Sequence, residues 1–458
     1  MRRTASQPKR QSRVGTSDFL NPSHAKSQLA DTESLGSPLA ATELIDDELI
    51  DVERTDDEFP VDAWQPETST VHTRRDAGVA AAESLPTAQP THSRKDAISG
   101  RWTLYASHRS ERPNEFEYSA STKLTSEDCP FCLGNEQRTP EPVLVVPATD
   151  ADASTADTSA AADWMIRVIP NKFPAVDPLS ARVYCDRSAL DGSSAERSAK
   201  STRDGESRAA ALFPHRTTSG GHEVIIESPD HFTSVADLDL CHVVKLLQVY
   251  RQRLDHWSNQ PGIGYVSLFK NAGAGAGASL QHPHSQLIAL TDLPPTVRTI
   301  ADRMRRHHAR TGCCLQCDLV RAEMKARSRI VAITDSLVAY CPYASHLPMQ
   351  LRITTRRHVE RFESLDDREL NELARLIRRA ILWLDKAQPN APYNYLLHTR
   401  PAAVQPNSGF HWSFDLFPRL TQIAGFEWSC DCLINPMLPE EAAERLRAIA
   451  IRENPLRC

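Results

Sequence analysis

Hydrophobic and polar positions change rhythm along this chain at about residue 100. Up to residue 95 Ser, Thr, Ala and Pro dominate, and aromatic residues are sparse. Beyond it, short β-branched runs bounded by Pro, Gly and Asn predict strands over 223–227, 264–271, 286–290, 331–340, 349–354 and 393–398. Apolar residues at helical spacing predict helices over 238–257, 295–310, 366–387 and 439–452. Strands and amphipathic helices in this mixture indicate an α+β protein.

Charge separates the first part from the rest. Residues 1–30 hold six Lys/Arg and one acid, Asp18, whereas residues 31–67 hold thirteen acids and one base, Arg54. A segment of this composition cannot bury enough apolar surface to offset its ordering entropy. Residues 1–95 therefore read as a disordered tail. Within it, 43–58 (ELIDDELIDVERTDDE) has the pattern of a short acidic amphipathic helix, or more simply of a solvated charge run. Two further biased stretches, 148–162 and 187–210, flank WMIRVIPNKFPAV, which has strand and turn character, and read as surface insertions. The remainder divides into 96–295 and 296–458.

With 458 residues and 51.0 kDa there is room for more than one compact unit. A net charge of −6 argues against a general nucleic-acid binder. No stretch approaches the roughly 18–20 apolar residues of a membrane helix, and Met1, Arg2 and Arg3 lead into Ser, Gln and Lys instead of an apolar signal core. The expected location is the cytoplasm, with no membrane partner. There, eleven cysteines are first to be tested as metal ligands instead of disulfides.

Two sets of such ligands share one spacing. Cys129-Pro-Phe-Cys132 is followed by His231 in SPDHF and His282 in HPHSQ, which completes a Cys2His2 set suited to Zn²⁺. Cys314-Leu-Gln-Cys317 is followed by His358 in TTRRH and His411 in GFHWSF. The two histidines stand 51 residues apart in the first set and 53 in the second, the mark of a duplicated unit. His346 and His398 are rivals for the second set, Cys313 competes with Cys314, and ordinary core Cys and His are the plainer alternative. A zinc finger is excluded, because 99 residues separate Cys132 from His231.

On an extended strand His282, His284 and Gln286 share one face, so one imidazole can hold metal while the next stays free to react. Pro283 stiffens the step between them. A neutral imidazole is a competent nucleophile towards phosphorus, and Gln286 is a neutral donor for the oxygens of a transferred phosphoryl group. The preceding NAGAGAGAS run, with Gly273, Gly275 and Gly277, permits close backbone approach to an anion.

Together SHRSERP, CPFCLGNE, PNKFPAV, SPDHF, KNAGAGAGASLQHPHSQ and FHWSFDLFPRLTQIAGFE resemble the galactose-1-phosphate uridylyltransferase family of the histidine-triad superfamily, which includes ADP-glucose phosphorylases. The resemblance runs from about residue 101 to 454. It implies two related α+β halves forming one nine-stranded, mostly antiparallel half-barrel, commonly a homodimer. It also implies transfer of UMP from UDP-glucose to galactose-1-phosphate through a nucleotidyl-histidine, or, in the other branch, an ADP-sugar phosphorylase with inorganic phosphate as acceptor. A non-catalytic zinc scaffold is the reading from another class. By matching position, His284 resembles the nucleophile. Cys129, Cys132, His231 and His282 resemble the first zinc site, and Cys314, Cys317, His358 and His411 a second that only some branches keep. Arg109 and Arg112 match an early phosphate-binding loop, and Asn171 and Phe173 the nucleoside segment. Asn271, Gly277, Ser279 and Gln286 match residues around the phosphates, and Phe426 and Glu427 the region meeting the sugar. Ser285 stands where the best-known branch has Gly, and WSCDC (428–432) stands where relatives often carry small residues.

Overall fold

The computed structural model describes residues 91–107, 109, 127–148, 164–179, 218–231 and 234–453. The tail before residue 91, the 43–58 segment, nearly all of the 148–162 insertion, the whole of 187–210, and Arg112 lie outside the described residues. Strand β1 (His92–Lys95) already occupies the last positions assigned to the tail.

From the amino end, β2 (Trp102–Tyr105), β3 (Leu144–Pro147), β4 (Trp164–Pro170), the two-residue β5 (Asp177–Pro178) and β6 (Ser219–Ile226) lead into helix α1 (Leu240–Ser258). β7 (Tyr265–Ala272) and β8 (His284–Leu290) follow, then α2 (Pro295–Thr311) and α3 (Leu315–Ala326). β9 (Ile330–Ile333), β10 (Leu337–Tyr340) and β11 (Leu351–Thr355) lead into α4 (Asp367–Ala387), β12 (Tyr393–His398) and β13 (Ser413–Pro418). The chain closes with α5 (Gly425–Cys430), β14 (Leu433–Asn435) and α6 (Pro439–Glu453).

Among the described residues, ten strands form one continuous antiparallel sheet in the order β3-β4-β6-β8-β7-β12-β13-β11-β10-β9, and β5 adds an eleventh by pairing parallel to β6. The count exceeds the nine strands expected. Read inward from either edge, the order is the same: first, second, third, fifth and fourth strand of a half. The two halves meet where β7 runs antiparallel to β12, Asn271 opposite Asn394. In each half one long helix, α1 or α4, joins the third strand to the fourth, and the two helices pack on each other. This is duplication made visible in topology. A separate small sheet pairs β1, β2 and β14.

Physical causes of the elements are local. α4 opens with a capping box in which the Asp366 carboxylate accepts from Glu369 N at 2.8 Å and the Glu369 carboxylate accepts from Asp366 N at 3.1 Å. Its buried stripe, Leu370, Leu373, Ala374, Ile377, Ile381 and Leu384, lies on the sheet with α1's Val243, Leu246, Leu247, Tyr250 and Leu254. Gly221 sits where a Cβ would lie 2.1 Å from the Trp257 ring, so only glycine lets α1 approach β6 this closely. The run expected as one strand over 331–340 is a hairpin. Thr334, Asp335 and Ser336 turn it, with Thr334 N donating to Leu337 O at 2.9 Å and the Glu372 carboxylate receiving Thr334 Oγ1 and Ser336 N. Met349 has φ of 55°, so the strand expected from that residue begins at Leu351. No helix among the described residues is long and apolar enough to cross a membrane.

Candidate active site

Residue pairing divides the sheet into two faces. On the helix-covered face, Lys270 of β7 lies opposite Ser285 of β8; on the other, Phe269 lies opposite Gln286 and Ile226 opposite His284. His284 and Gln286 thus leave the sheet on the side away from α1 and α4.

The first Cys/His set converges at one end of β8. The Sγ atoms of Cys129 and Cys132 and one ring nitrogen each of His231 and His282 lie within 4.8 Å of one another. Cys132 Sγ is 3.2 Å from His231 Nδ1 and 3.5 Å from His282 Nδ1, and the two Nδ1 atoms are 3.4 Å apart. Bonds of about 2.0–2.3 Å to a tetrahedral ion give edges of about 3.3–3.8 Å. His282 Nε2–H donates to Ser228 O at 2.7 Å, which turns the Nδ1 lone pair to the cluster. Burial, with Cys129 alongside, pushes the Cys132 thiol up to about 12, so a thiolate there needs a cation beside it. Donor atoms, spacing and tautomer all fit Zn²⁺.

The second set repeats the design. Cys314, Cys317, His358 and His411 present donors within 4.8 Å of one another, and Cys317 Sγ lies 3.4 Å from His411 Nδ1 and 3.7 Å from His358 Nδ1. His411 Nε2–H donates to Thr355 Oγ1 at 2.9 Å, doing for this ring what Ser228 does for His282. Of the rivals, His398 faces Asp415 at 3.5 Å, His346 is half-buried near Asp96, and Cys313 N is held by Thr311. None joins the cluster.

His284 is 5 % exposed. Its Nδ1–H donates to His282 O at 2.8 Å, so the free lone pair is on Nε2. Phe131, between the first two cysteines, packs edge-on against the rings of His284 and His282 at 5.4 and 5.9 Å. Burial lowers the basicity of His284, and the nearby Lys270 charge acts in the same sense, so the ring is uncharged at neutral pH. A neutral imidazole fixed at one nitrogen and bare at the other is the form a nucleophile requires.

His222, which sequence reasoning did not single out, orients Gln286. Ala175 N donates to His222 Nδ1 at 3.1 Å; the proton is therefore on Nε2, which donates to Gln286 Oε1 at 2.9 Å. With its carbonyl engaged, Gln286 offers its NH₂ end to an anion. Asn171 stands in the same group, Nδ2 being 3.1 Å from His222 Nε2 and Oδ1 accepting from Phe173 N at 2.9 Å. Phe173 itself is 82 % exposed. Asn394, also not anticipated, donates to Asn271 Oδ1 at 2.8 Å and to Ala276 O at 2.9 Å, tying the Gly-rich loop to the second half. Gly277 has φ of 91° and lies beside the Asn271 amide. The loop differs from a simple amide cradle: Ala276 N, Gly277 N and Ala278 N turn back to Gly273 O and Ala274 O, leaving fewer amides for an anion than the glycine spacing suggested. Ser279 is exposed at the loop's end, and Arg109 is exposed after β2. Phe426 and Glu427 lie on α5, where Glu427 accepts from Ala424 N at 3.0 Å and Phe426 is half exposed. No described hydrogen bond links α5 to the HPH strand.

The duplicated antiparallel sheet thus carries two Cys2His2 clusters and, beside the first, a singly tethered imidazole. Residues 81–294 match the model of the galactose-1-phosphate uridyl transferase N-terminal domain. The chain is 30 % identical over 362 residues to ADP-glucose phosphorylase of Arabidopsis thaliana, covering 78 % of this chain and 93 % of that protein. The crystal structure of that plant's ADP-glucose phosphorylase with bound ADP-glucose superposes with a TM-score of 0.61 at 29 % identity, over 78 % of this chain and 99 % of the other. Galactose-1-phosphate uridylyltransferase of Thermotoga maritima is 28 % identical over 243 residues, 51 % of this chain and 76 % of that one. The chain belongs to the galactose-1-phosphate uridylyltransferase family and is an enzyme of its nucleotidyltransferase and phosphorylase group.

Proposed function

We propose that the protein is an ADP-sugar phosphorylase that works through a nucleotidyl-His284 intermediate. The observation that carries the chemistry is the tautomer of His284: Nδ1–H is spent on His282 O and Nε2 is bare. In the first step Nε2 attacks the α-phosphorus of ADP-glucose, the bond from that phosphorus to the bridging oxygen breaks, and glucose-1-phosphate leaves with the electron pair. In the second, an oxygen of inorganic phosphate attacks the same phosphorus, the P–N bond breaks, and ADP leaves while His284 regains its lone pair. Gln286 NH₂, aimed by His222, stabilises the non-bridging oxygens as charge grows on them.

Zn²⁺ in the first cluster would be held by Cys129, Cys132, His231 and His282 and would supply structural bracing, fixing His282 and so the carbonyl that tethers His284. The second cluster, Cys314, Cys317, His358 and His411, would brace the other half in the same way. Adenine and phosphate are preferred over the uridylyl transfer to galactose-1-phosphate implied by the motifs because the plant phosphorylase shares 30 % identity with this chain over nearly its whole length, whereas uridylyltransferases that match over as much of theirs share 23–26 %. The uridylyl reading is kept because uridylyltransferases share the family.

A substrate matrix separates them: ADP-glucose or UDP-glucose, each with inorganic phosphate or galactose-1-phosphate. The proposal expects turnover with ADP-glucose and phosphate at least about a hundredfold faster than in the other three mixtures. Preferred turnover of UDP-glucose with galactose-1-phosphate would replace it with the uridylyl reading.

A further inference from the structure

The helix-covered side of the sheet carries, directly behind the nucleophile, a charged group that the chemistry above does not use. Glu227, the residue after β6, is fully buried, and Lys270 of β7 is 3 % exposed. Their side chains form an ion pair, and the Glu227 carboxylate also receives Ser285 Oγ, Tyr250 OH at 3.0 Å and Tyr395 OH at 3.1 Å. Glu227 is fixed in turn by its backbone, since His242 Nε2 lies 2.7 Å from its carbonyl oxygen. Beside the pair, Lys270 lines a cavity of about 260 Å³ together with His282, Pro283 and Gly273.

Three contacts reach residues 283–285 in succession, the first from the main chain of Glu227 and the other two made by side chains. Glu227 N donates to Pro283 O at 3.1 Å, Lys270 Nζ donates to His284 O at 3.3 Å, and Ser285 Oγ donates to the Glu227 carboxylate. Stability alone is a poor reason for burying these charges, because a buried ion pair can often be exchanged for apolar side chains at no cost. What an apolar pair cannot do is donate to a carbonyl and accept from a hydroxyl on consecutive residues. Ser285, which departs from the glycine of the best-known branch, is the residue that completes this arrangement.

We propose that the side chains of Glu227 and Lys270 are positioning groups that hold the Ser285 hydroxyl and the His284 carbonyl from behind and so fix the direction in which His284 Nε2 points. The proposal rests on the reading of His284 as nucleophile. A misplacement of about 1 Å at a reacting atom costs on the order of a hundredfold in rate, whereas substrate contacts on the other face of the sheet are untouched.

The test is the double variant Glu227→Gln/Lys270→Met of the full-length enzyme, which removes the pair without stranding a buried charge. Expected results are normal zinc content, KM for the nucleotide sugar within about twofold of wild type, and both kcat and the single-turnover rate of protein labelling lowered about a hundredfold. A folded double variant with kcat within threefold of wild type would overturn the proposal, as would a loss confined to KM. If the double variant does not fold, Ser285→Ala decides: the proposal expects a folded protein with wild-type zinc content, a melting temperature lowered by a few degrees and kcat lowered about five- to tenfold, and wild-type kcat overturns it. Failure of the underlying reading looks different, for then wild type takes no label or His284→Ala still takes it.

Discussion

Replacing Asp415 with Asn is expected to cost stability without stopping the chemistry. Asp415 on β13 and Arg352 on β11 form a bidentate pair with both contacts at 2.7 Å, on side chains 6 % and 10 % exposed. By the duplicated topology, the HWS of residues 411–413 stands where residues 282–284 stand in the first half. Ser413 thus occupies the place of the proposed nucleophile His284, Asp415 that of Gln286, and Arg352 that of Val224. A salt bridge fills the second half at the positions that Val224 and Gln286 hold in the first. Removing one member leaves a buried guanidinium half-partnered, a change worth about 3–5 kcal/mol. At about 2.1 cal/mol/K per residue over roughly 350 folded residues, that lowers the melting temperature by about 4–7 °C. Thermal melts of wild type, Asp415→Asn and Arg352→Met/Asp415→Leu give the answer, with single-turnover labelling run on the same preparations. The account expects the double variant to recover most of the loss and all three proteins to label at similar rates. A single variant melting within 1 °C of wild type would refute the energetic argument. A folded Asp415→Asn that no longer takes label would show that the second half takes part in the reaction.

The same pair sets a pH dependence. Burial alone would raise the Asp415 carboxyl, but the Arg352 guanidinium overrides it and holds the group well below the usual carboxylate range. Its contribution is therefore full above the unfolded value of about 3.9 and is lost as pH falls below it, so between pH 5 and 3 the melting temperature of wild type drops more than that of the double variant. Cys132→Ser and Cys317→Ser are each expected to lose one of two zinc ions by metal analysis, and only the first is expected to abolish labelling, because only that cluster holds His282. His222→Phe keeps the ring's volume but releases Gln286 Oε1, and kcat/KM is expected to fall about tenfold, the worth of one oriented hydrogen bond. Gly221→Ala drives a Cβ to 2.1 Å from a Trp257 ring that Glu223 pins through Nε1 at 2.9 Å; denaturant unfolding is expected to show about 2–3 kcal/mol lost.

Much of this architecture is legible in the amino-acid order because its causes are local. α4 declares itself through Asp366 and Glu369 at cap spacing and a continuous apolar stripe, and α2 begins at the Pro295 that predicts it. The HPH strand and both CxxC pairs are short-range patterns. The helix α3 is less visible, because Cys314 serves as its N-cap and the polar LQCDLVRAEMKA run hides a narrow buried face. Glu227 and Lys270 are 43 residues apart, and Arg352 and Asp415 63. Nothing in spacing says which buried acid meets which base, although a charged residue inside or closing an apolar β run was itself a signal of a buried partner. His222 is hidden for the same reason: its role depends on strand register, which sets it diagonally across from Gln286.

The most direct measurement is the site of covalent attachment. Enzyme mixed with ADP-glucose in the absence of phosphate, then analysed by intact mass and peptide mapping under mildly basic conditions that preserve phosphoramidates, is expected to carry one adenylyl group on His284 Nε2, discharged as ADP when phosphate is added. An unmodified chain under turnover conditions, or the group found on any other residue, would contradict the account.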